Sequence, residues 1–122
     1  MNRKFSMAAV AVAVSAAALL GASSASATTV LVRQSVSISG CTADQDILQG
    51  YGNSSHDYQG GEVVGGGSSC QVQITQFING NQGASSGWYF VQTVPYYDGP
   101  GFQDQVCVRD GDSGPQNCST KY

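Results

Sequence analysis

The chain is poor in charge, because charged residues make up only 11% of its 122 residues, and basic residues are especially scarce. After residue 27 the cations are Arg33, Arg109 and Lys121, against eight carboxylates, which gives this part a formal net charge of −5. Non-specific affinity for nucleic acid depends on basic groups that neutralise phosphates, and attraction to anionic membranes depends on basic segments. We therefore expect neither nucleic acid nor an anionic membrane surface as a partner.

Helical patterns are nearly absent after residue 28, since no segment keeps apolar residues at the i, i+3, i+4 spacing of an amphipathic helix. Four runs instead have the β-branched or alternating composition of strands: VLVRQSVSI, CQVQITQF, GWYFVQTV and QVCVR. Turn clusters rich in glycine, such as NGNQGASSG and DGDSGP, separate them. The sequence therefore predicts an all-β fold, a small disulfide-stabilised antiparallel sandwich or barrel.

Two of these runs predict which side chains face the core. In VLVRQSVSI, four apolar residues occupy even-numbered positions: Val30, Val32, Val36 and Ile38. Because alternate residues of a strand share a face, we expect these four side chains on the same face. In CQVQITQF, the apolar residues at positions 70, 72 and 74 alternate with polar ones. For the segment DILQGY, residues 46–51, a helical turn is the alternative to the β structure predicted for the rest of the chain.

The first 27 residues contain the three parts of a secretory signal in order: Arg3 and Lys4, an apolar run at 7–20, and the small-residue site Ala25-Ser26-Ala27. The apolar run is shorter than the roughly 20 residues that a membrane-spanning helix needs. We therefore expect a signal peptide at 1–27, a single β-rich domain at 28–122, and no membrane insertion after cleavage.

Four cysteines follow the predicted signal: Cys41, Cys70, Cys107 and Cys118. An even number in a short exported chain predicts two disulfides, whereas a four-thiolate zinc site usually has closely spaced Cys-x-x-Cys pairs, which this chain lacks. Three connectivities are possible. We expect Cys41–Cys70 with Cys107–Cys118, because neighbours along a chain are usually neighbours in space.

The stretch RDGDSGPQNC contains Gly-Asp-Ser-Gly, the tetrapeptide around the nucleophile of chymotrypsin-like proteases, with Ser113 in the nucleophile's place. A serine nucleophile needs a base, and a carboxylate that orients the base. The chain has one histidine, His56, in a Gly/Ser-rich loop, and Pro115 replaces the second glycine of the longer protease motif. We therefore expect an Asp-Gly turn, no catalytic residue and no enzymatic activity.

The same loop resembles the opening of a calcium-binding loop, with Asp110 and Asp112 in ligand positions and Asp104 nearby. Gly114 and Lys121 occupy positions where such a loop has oxygen ligands. We therefore predict solvated loop acids and neither a metal nor a cofactor, with weak calcium binding by the three aspartates as the alternative.

Aromatic residues concentrate between residues 88 and 102, and the candidate binding patch is Trp88, Tyr89, Tyr96, Tyr97 and Phe102. One interpretation places these rings in the core, the usual location of aromatic side chains. The other is an exposed, tyrosine-rich patch that binds a protein, a glycan or a surface polymer. Because Tyr96 and Tyr97 are adjacent, an extended chain directs them to opposite faces, and at most one belongs fully to the core.

The cysteine layout is accompanied by CQVQI around the second cysteine, a downstream tryptophan, and YYDGP before CV. This arrangement resembles the spore-associated protein A family of small secreted actinobacterial proteins across most of the predicted mature chain. The family tends to have an aromatic residue and two glycines after its third cysteine, where this chain has Arg109-Asp110-Gly111. The resemblance implies an exported, surface-associated protein with no known catalysis.

The stretch YYDGPGFQDQVCV also resembles the Greek-key signature of the βγ-crystallin fold, an aromatic residue followed after four positions by Phe-x-Gly, with Tyr97 and Phe102 in place. Asp104 stands where that signature has glycine. Small secreted protease inhibitors share this fold, so this weaker resemblance implies an inhibitor.

Together these features predict an exported, non-enzymatic β-domain that acts at the cell or spore surface or in the medium and binds through the tyrosine-rich patch. The expected partner is a cell-envelope or spore-surface component or an extracellular protein. The alternative is a secreted inhibitor or toxin-like protein that presents a loop, residues 107–118, to an enzyme cleft.

The signal-peptide prediction is testable by mass spectrometry of secreted protein. We expect a mature N-terminus at or near Thr28, because the small residues Ala25 and Ala27 form a cleavage site. Recovery of the intact chain from the membrane fraction would contradict this prediction.

Overall fold

The computed structural model describes residues 27–122, so the predicted signal peptide, apart from Ala27, lies outside the described residues. These residues form two antiparallel four-stranded sheets, with the orders β1-β2-β3-β6 and β5-β4-β7-β8. The strands are β1 (Thr29–Ile38), β2 (Cys41–Gln49), β3 (Asp57–Gly65), β4 (Cys70–Ile78), β5 (Asn81–Ser85), β6 (Tyr96–Asp98), β7 (Phe102–Asp110) and β8 (Gln116–Cys118). The predicted all-β sandwich is confirmed.

The core lies between the two sheets and is small. Both sheets contribute its buried residues, which are Val36, Cys41, Ala43, Cys70, Val72, Ile74, Val106 and Val108. The inward positions of β4 are those that the alternation of CQVQITQF predicts, since Val72 and Ile74 are fully buried. This strand therefore follows the simple rule that alternate residues share a face.

Both predicted disulfides are confirmed. Cys41–Cys70 joins the first residues of β2 and β4 and so links the two sheets, with 5.5 Å between the Cα atoms. Cys107–Cys118 joins residues that lie opposite each other on β7 and β8. A disulfide typically stabilises a small domain by about 2–4 kcal/mol, so the two bridges make a large contribution to a domain with so small a core.

Strand β1 changes face halfway along its length. Its pairing with β2 skips one residue, Arg33, which forms a β-bulge. The extra residue reverses the alternation, so that Val36 is buried in the core whereas Val30 and Val32 are 54% and 59% exposed. The prediction that the four even-numbered apolar residues of this strand all share one face is therefore wrong.

The predicted strand GWYFVQTV, residues 87–94, is not a strand but a crossing segment between the sheets. Tyr89 forms a bridge with Val72 of β4 in one sheet, and Gln92 forms a bridge with Glu62 of β3 in the other. The strand prediction is wrong here because the segment pairs with two different sheets and stays with neither.

The segment DILQGY does not form a helical turn at its start. Residues 46–49 belong to β2, and a single 3₁₀ turn, Tyr51–Asn53, follows. Gly50 separates the two with a φ of 76°, a left-handed conformation that glycine adopts without steric cost. No helix in the described part of the chain is long and apolar enough to span a membrane.

The sheets approach each other closely where Gly61 of β3 crosses β4 and β7. A Cβ atom at this position would lie 2.7 Å from Cγ2 of Val72 and 3.0 Å from Cγ1 of Val106. Carbon atoms in favourable contact are about 3.5–4.0 Å apart. The backbone of Gly61 therefore packs directly on the valines, and the position has no room for a side chain.

One end of the core is polar. Gln45, Gln59 and Asp104 are all fully buried. Nε2 of Gln45 donates to Oε1 of Gln59 at 2.6 Å and to the backbone carbonyl of Asp104 at 3.1 Å. Neither carboxylate oxygen of Asp104 has a hydrogen-bond partner among residues 27–122, nor has Oε1 of Gln45. Burial, and to a smaller extent Asp98, raises the pKa of Asp104 to about 7.

We expect Gly61→Ala to lower the free energy of unfolding by about 1–3 kcal/mol, because the added methyl group over-packs the valine layer. Gly67→Ala is the matched control, since a Cβ there meets no atom within 4 Å. Restricting the unfolded chain should leave this control neutral or slightly stabilised. Urea denaturation measures both variants, and equal stability would contradict the close approach of the sheets.

Stability should depend on pH through Asp104. The folded chain keeps this proton up to about pH 7, whereas the unfolded chain releases it near the ordinary pKa of 3.8. Between these two pKa values the folded state binds more protons than the unfolded state. The contribution of protonated Asp104 to the free energy of unfolding is therefore fully present below the lower pKa. It is then lost as the pH rises through the higher one.

Asp104→Asn should remove this dependence and raise the free energy of unfolding at pH 8 by about 1–3 kcal/mol, because no charge is then buried. Asp112→Asn, with a side chain that is 91% exposed, serves as the control and should keep the wild-type slope. Chemical denaturation between pH 4 and pH 8 is the measurement. If the free energy of unfolding of Asp104→Asn changed with pH as steeply as that of the wild type, Asp104 would not be the source of the pH dependence.

Candidate functional site

Four aromatic rings form a continuous row at one end of the sandwich, which we call the aromatic row: Tyr51, Tyr58, Tyr97 and Phe102. Successive ring centroids lie 5.1 Å apart for Tyr51 and Tyr58, 5.7 Å for Tyr58 and Tyr97, and 5.2 Å for Tyr97 and Phe102. The ring of His56 contacts Tyr97 from the side at 5.7 Å. These are the tilted and edge-to-face arrangements that aromatic rings prefer.

Strand pairing places the centre of this row. Tyr58 of β3 lies directly opposite Tyr97 of β6, so both rings are on the outer face of the first sheet. The ring of Tyr97 folds over Gly99 and occupies the space where a Cβ of that residue would be. Adjacent Tyr96 points the other way and packs against the core, where burial raises the pKa of its hydroxyl.

The aromatic row is accessible to solvent. Tyr51 is 40% exposed, His56 is exposed, and the other three rings are half-buried. Each ring is supported by a neighbour on at least one side, so the row presents a preformed surface. Such a surface loses little conformational entropy when a ligand binds.

The structure divides the predicted patch. It brings Tyr97 and Phe102 into contact, but it places Trp88 beside Arg109, at the opposite end of β7 from Phe102. The guanidinium carbon of Arg109 lies 4.1 Å from the centroid of the Trp88 ring and covers it. Tyr89 is 39% exposed, and its backbone is held by two hydrogen bonds to β4.

The loop between Cys107 and Cys118 is held by side chains around it. Nε2 of Gln71 donates to Asp112 at 3.1 Å, and Nε of Arg109 donates to Gln71 at 2.7 Å. The hydroxyl of Ser69 donates to Asp110. The tip of the loop, including Ser113, remains exposed.

The three aspartates of the possible calcium loop do not lie together. Asp104 is buried between the sheets, whereas Asp110 is at the far end of β7 and Asp112 is in the following turn. Within the described ranges, the group of potential metal ligands with converging atoms is Cys41, Cys70 and Asp110. Both sulfur atoms of this group belong to a disulfide, so they cannot act as thiolate ligands.

A pocket of about 350 Å³ opens on the outer face of the first sheet beside the aromatic row. Gly60 and Gly61 of β3 form its floor, and the depression arises because Gly60, which faces outward, has no side chain. The remaining lining residues are Thr28, Asp46, Leu48, Tyr51, Glu62, Gln92, Thr93 and Pro95. Because it contains two carboxylates and no basic residue, we call it the acidic pocket.

The crossing segment builds one wall of the acidic pocket. The backbone N–H of Gly61 donates to Oγ1 of Thr93 at 3.0 Å, and the N–H of Thr93 donates to the carbonyl of Gly61 at 2.8 Å. The opposite wall comes from β2, through Asp46 and Leu48. Tyr51, the first ring of the aromatic row, closes one end, so the row and the pocket are contiguous.

Sequence reasoning missed five members of this region. Tyr51, His56 and Tyr58 belong to the stretch GYGNSSHDYQGG, whose glycine and serine content predicts a turn cluster, although its aromatic content is a signal of a surface site. The acids of the pocket, Asp46 and Glu62, lie on neighbouring strands, and single-sequence patterns do not show which residues meet across strands.

Comparisons of the chain with family models, with curated proteins and with solved structures found no match. The resemblances to the spore-associated protein A family and to the βγ-crystallin fold therefore stay predictions.

Proposed function

We propose that this protein is an exported, non-enzymatic binding domain that acts at the cell or spore surface or in the medium. Its partner binds along the aromatic row, which extends the tyrosine-rich patch predicted from sequence. The partner class is a polyhydroxylated surface polymer of the cell envelope or spore. The single observation that carries this proposal is the contiguous row of half-exposed rings.

The chemistry of the row suits such a polymer. Aromatic faces carry partial negative charge and attract the C–H groups of a sugar-like ring, while tyrosine hydroxyls exchange hydrogen bonds with its hydroxyl groups. Three of the four rings are tyrosines, so the surface is both apolar and hydrogen-bonding. A repeating polymer can place successive units on successive rings.

The positions of the potential catalytic groups support the absence of enzymatic activity. His56 contacts Tyr97 at the Phe102 end of β7, whereas Ser113 follows the Asp110 end of the same strand. A nine-residue strand spans roughly 30 Å at about 3.3 Å per residue. The histidine is therefore too far from Ser113 to take its proton.

Two features support export. Both disulfides belong to a small domain, and such bridges persist in oxidising compartments outside the cytosol. The signal pattern of residues 1–27 provides the route.

A secreted inhibitor is the second candidate, and the loop at 107–118 favours it. The Cys107–Cys118 disulfide closes this loop, and Arg109 and Gln71 hold Asp112, so that an exposed tip is presented on a restrained base. Pre-organisation of this kind lowers the entropic cost of entering an enzyme cleft.

We expect Tyr97→Leu to weaken binding of the mature protein to washed cell envelopes or spores by at least tenfold, on the order of the effect of removing an interface tyrosine. Leucine keeps apolar volume in the fold but removes the central ring of the row. Phe90→Leu is the matched control, because Phe90 is 61% exposed and lies outside the row. A sedimentation assay on the envelopes measures the affinity.

Treating the envelopes identifies the partner class. Periodate oxidation should abolish binding, because it cleaves the diols of a polyhydroxylated polymer, and protease treatment should not. Loss of binding after protease alone would indicate a protein partner and contradict the polymer. Equal binding by Tyr97→Leu and Phe90→Leu would contradict the role of the row, and inhibition of a secreted hydrolase without envelope binding would favour the second candidate.

A further inference from the structure

The acidic pocket contains a nearly buried carboxylate that has no partner among the described residues. Asp46 is 7% exposed, and none of the hydrogen bonds among residues 27–122 ends on its carboxylate. Burial first, and then the negative charges of Glu62 and Asp44, raise its pKa to about 6. A charge in such a position is unfavourable unless an opposite charge pairs with it.

Strand pairing directs this carboxylate into the pocket. Asp46 lies opposite Gly60 of β3 and opposite Val32 of β1, and residues paired in this way share the outer face of the sheet. Gly60 has no side chain to cover the carboxylate. Glu62, two residues further along β3, lies on the same face and adds a second negative charge to the lining.

The described cations are all engaged elsewhere. Each lies over an aromatic ring: Arg33 over Tyr122 at 4.5 Å, Arg109 over Trp88 at 4.1 Å, and Lys121 over Phe77 at 3.7 Å. The ion pair in this part of the chain is Arg109 with Asp112, outside the pocket. No side chain among residues 27–122 therefore brings a positive charge to the acidic pocket.

The lining favours an organic cation over a metal ion. Calcium takes six to eight oxygen ligands, but no three carboxylates of the described residues converge at this pocket. Asp44, the nearest further acid, accepts a hydrogen bond from Ser35. Leu48 and Pro95 provide apolar walls, and Tyr51 provides a ring at one end that attracts cations.

We propose that the acidic pocket is a binding site for a primary ammonium group on a short aliphatic stem. The ammonium group pairs with Asp46 and Glu62, and the stem packs on Leu48 and Pro95. The volume of about 350 Å³ is at the lower end of small-ligand pockets and accommodates a ligand of this size. The site shares Tyr51 with the aromatic row but is centred on Asp46, so the proposal does not depend on the proposed function.

Binding should depend on pH. The titratable groups that face Asp46 are Asp44, on the same strand, Glu62 on β3, and the hydroxyl of Tyr51 in the 3₁₀ turn, together with the α-amino group of Thr28 once the predicted cleavage has occurred. The crossing segment contributes only uncharged residues to the lining. Because a cation binds the ionised carboxylate, affinity should be about tenfold lower at pH 5 than at pH 8.

The probe for this site is n-butylamine, which is an ammonium ion at both pH values, and n-butanol is its neutral counterpart. NMR titration of the mature protein should shift the backbone amide signals of Gly60, Gly61 and Thr93 with the amine and not with the alcohol. Asp46→Asn should weaken binding by at least tenfold, the scale of losing a charged hydrogen-bond partner. Asp112→Asn, which removes the same charge from the exposed loop, should bind as the wild type does.

Several results would overturn the proposal. Equal weakening by Asp46→Asn and Asp112→Asn would show only a general electrostatic effect, and equal binding of n-butanol would remove the role of charge. Tighter binding of calcium chloride than of the amine at the same amides would contradict the ligand class. Glu62→Gln, at an exposed position, is a second variant that should also weaken binding, and Tyr97→Leu should leave it unchanged.

Discussion

The close approach of β3 to the valines of the second sheet is the constraint on which the rest of the structure depends. Gly61 has no room for a Cβ, because Val72 and Val106 occupy that space. The small core closes only if the backbone itself serves as a packing surface. The neighbouring glycine, Gly60, faces the other way and leaves the outer side of β3 without a side chain. One pair of glycines therefore seals the core on one face and opens the acidic pocket on the other.

The distribution of charge follows from the small number of basic residues, which are Arg33, Arg109 and Lys121 after residue 27. Because each basic side chain of residues 27–122 lies over an aromatic ring, the carboxylates of the pocket and of the core have no basic side chain as a partner there. Asp46 and Asp104 respond in the same way, since burial raises the pKa of each. They differ in access: Asp104 is sealed between the sheets and affects stability, whereas Asp46 lines an open pocket and can meet a ligand.

The sequence was sufficient for the features that depend on local pattern. The inward face of β4, the two disulfides and the all-β class follow from alternation at residues 70–74 and from the spacing of four cysteines. The failures occur where one residue or one distant partner decides the outcome. Arg33 inserts a bulge that no composition rule predicts, and residues 87–94 alternate like a strand but divide their pairing between two sheets. The aromatic row also requires the pairing of β3 with β6, which no local pattern specifies.

The bulge in β1 gives this strand a position where its length can change. Val32 and Gln34 already pair with consecutive residues of β2, so Arg33 is one residue more than the ladder contains. A one-codon deletion here would close the bulge while every other pair stays in register, and only the cation over Tyr122 would be lost. A relative that lacks this residue would therefore show an alignment gap inside a strand, although insertions and deletions usually fall in loops. The faces of β1 in such a relative would still match those seen here.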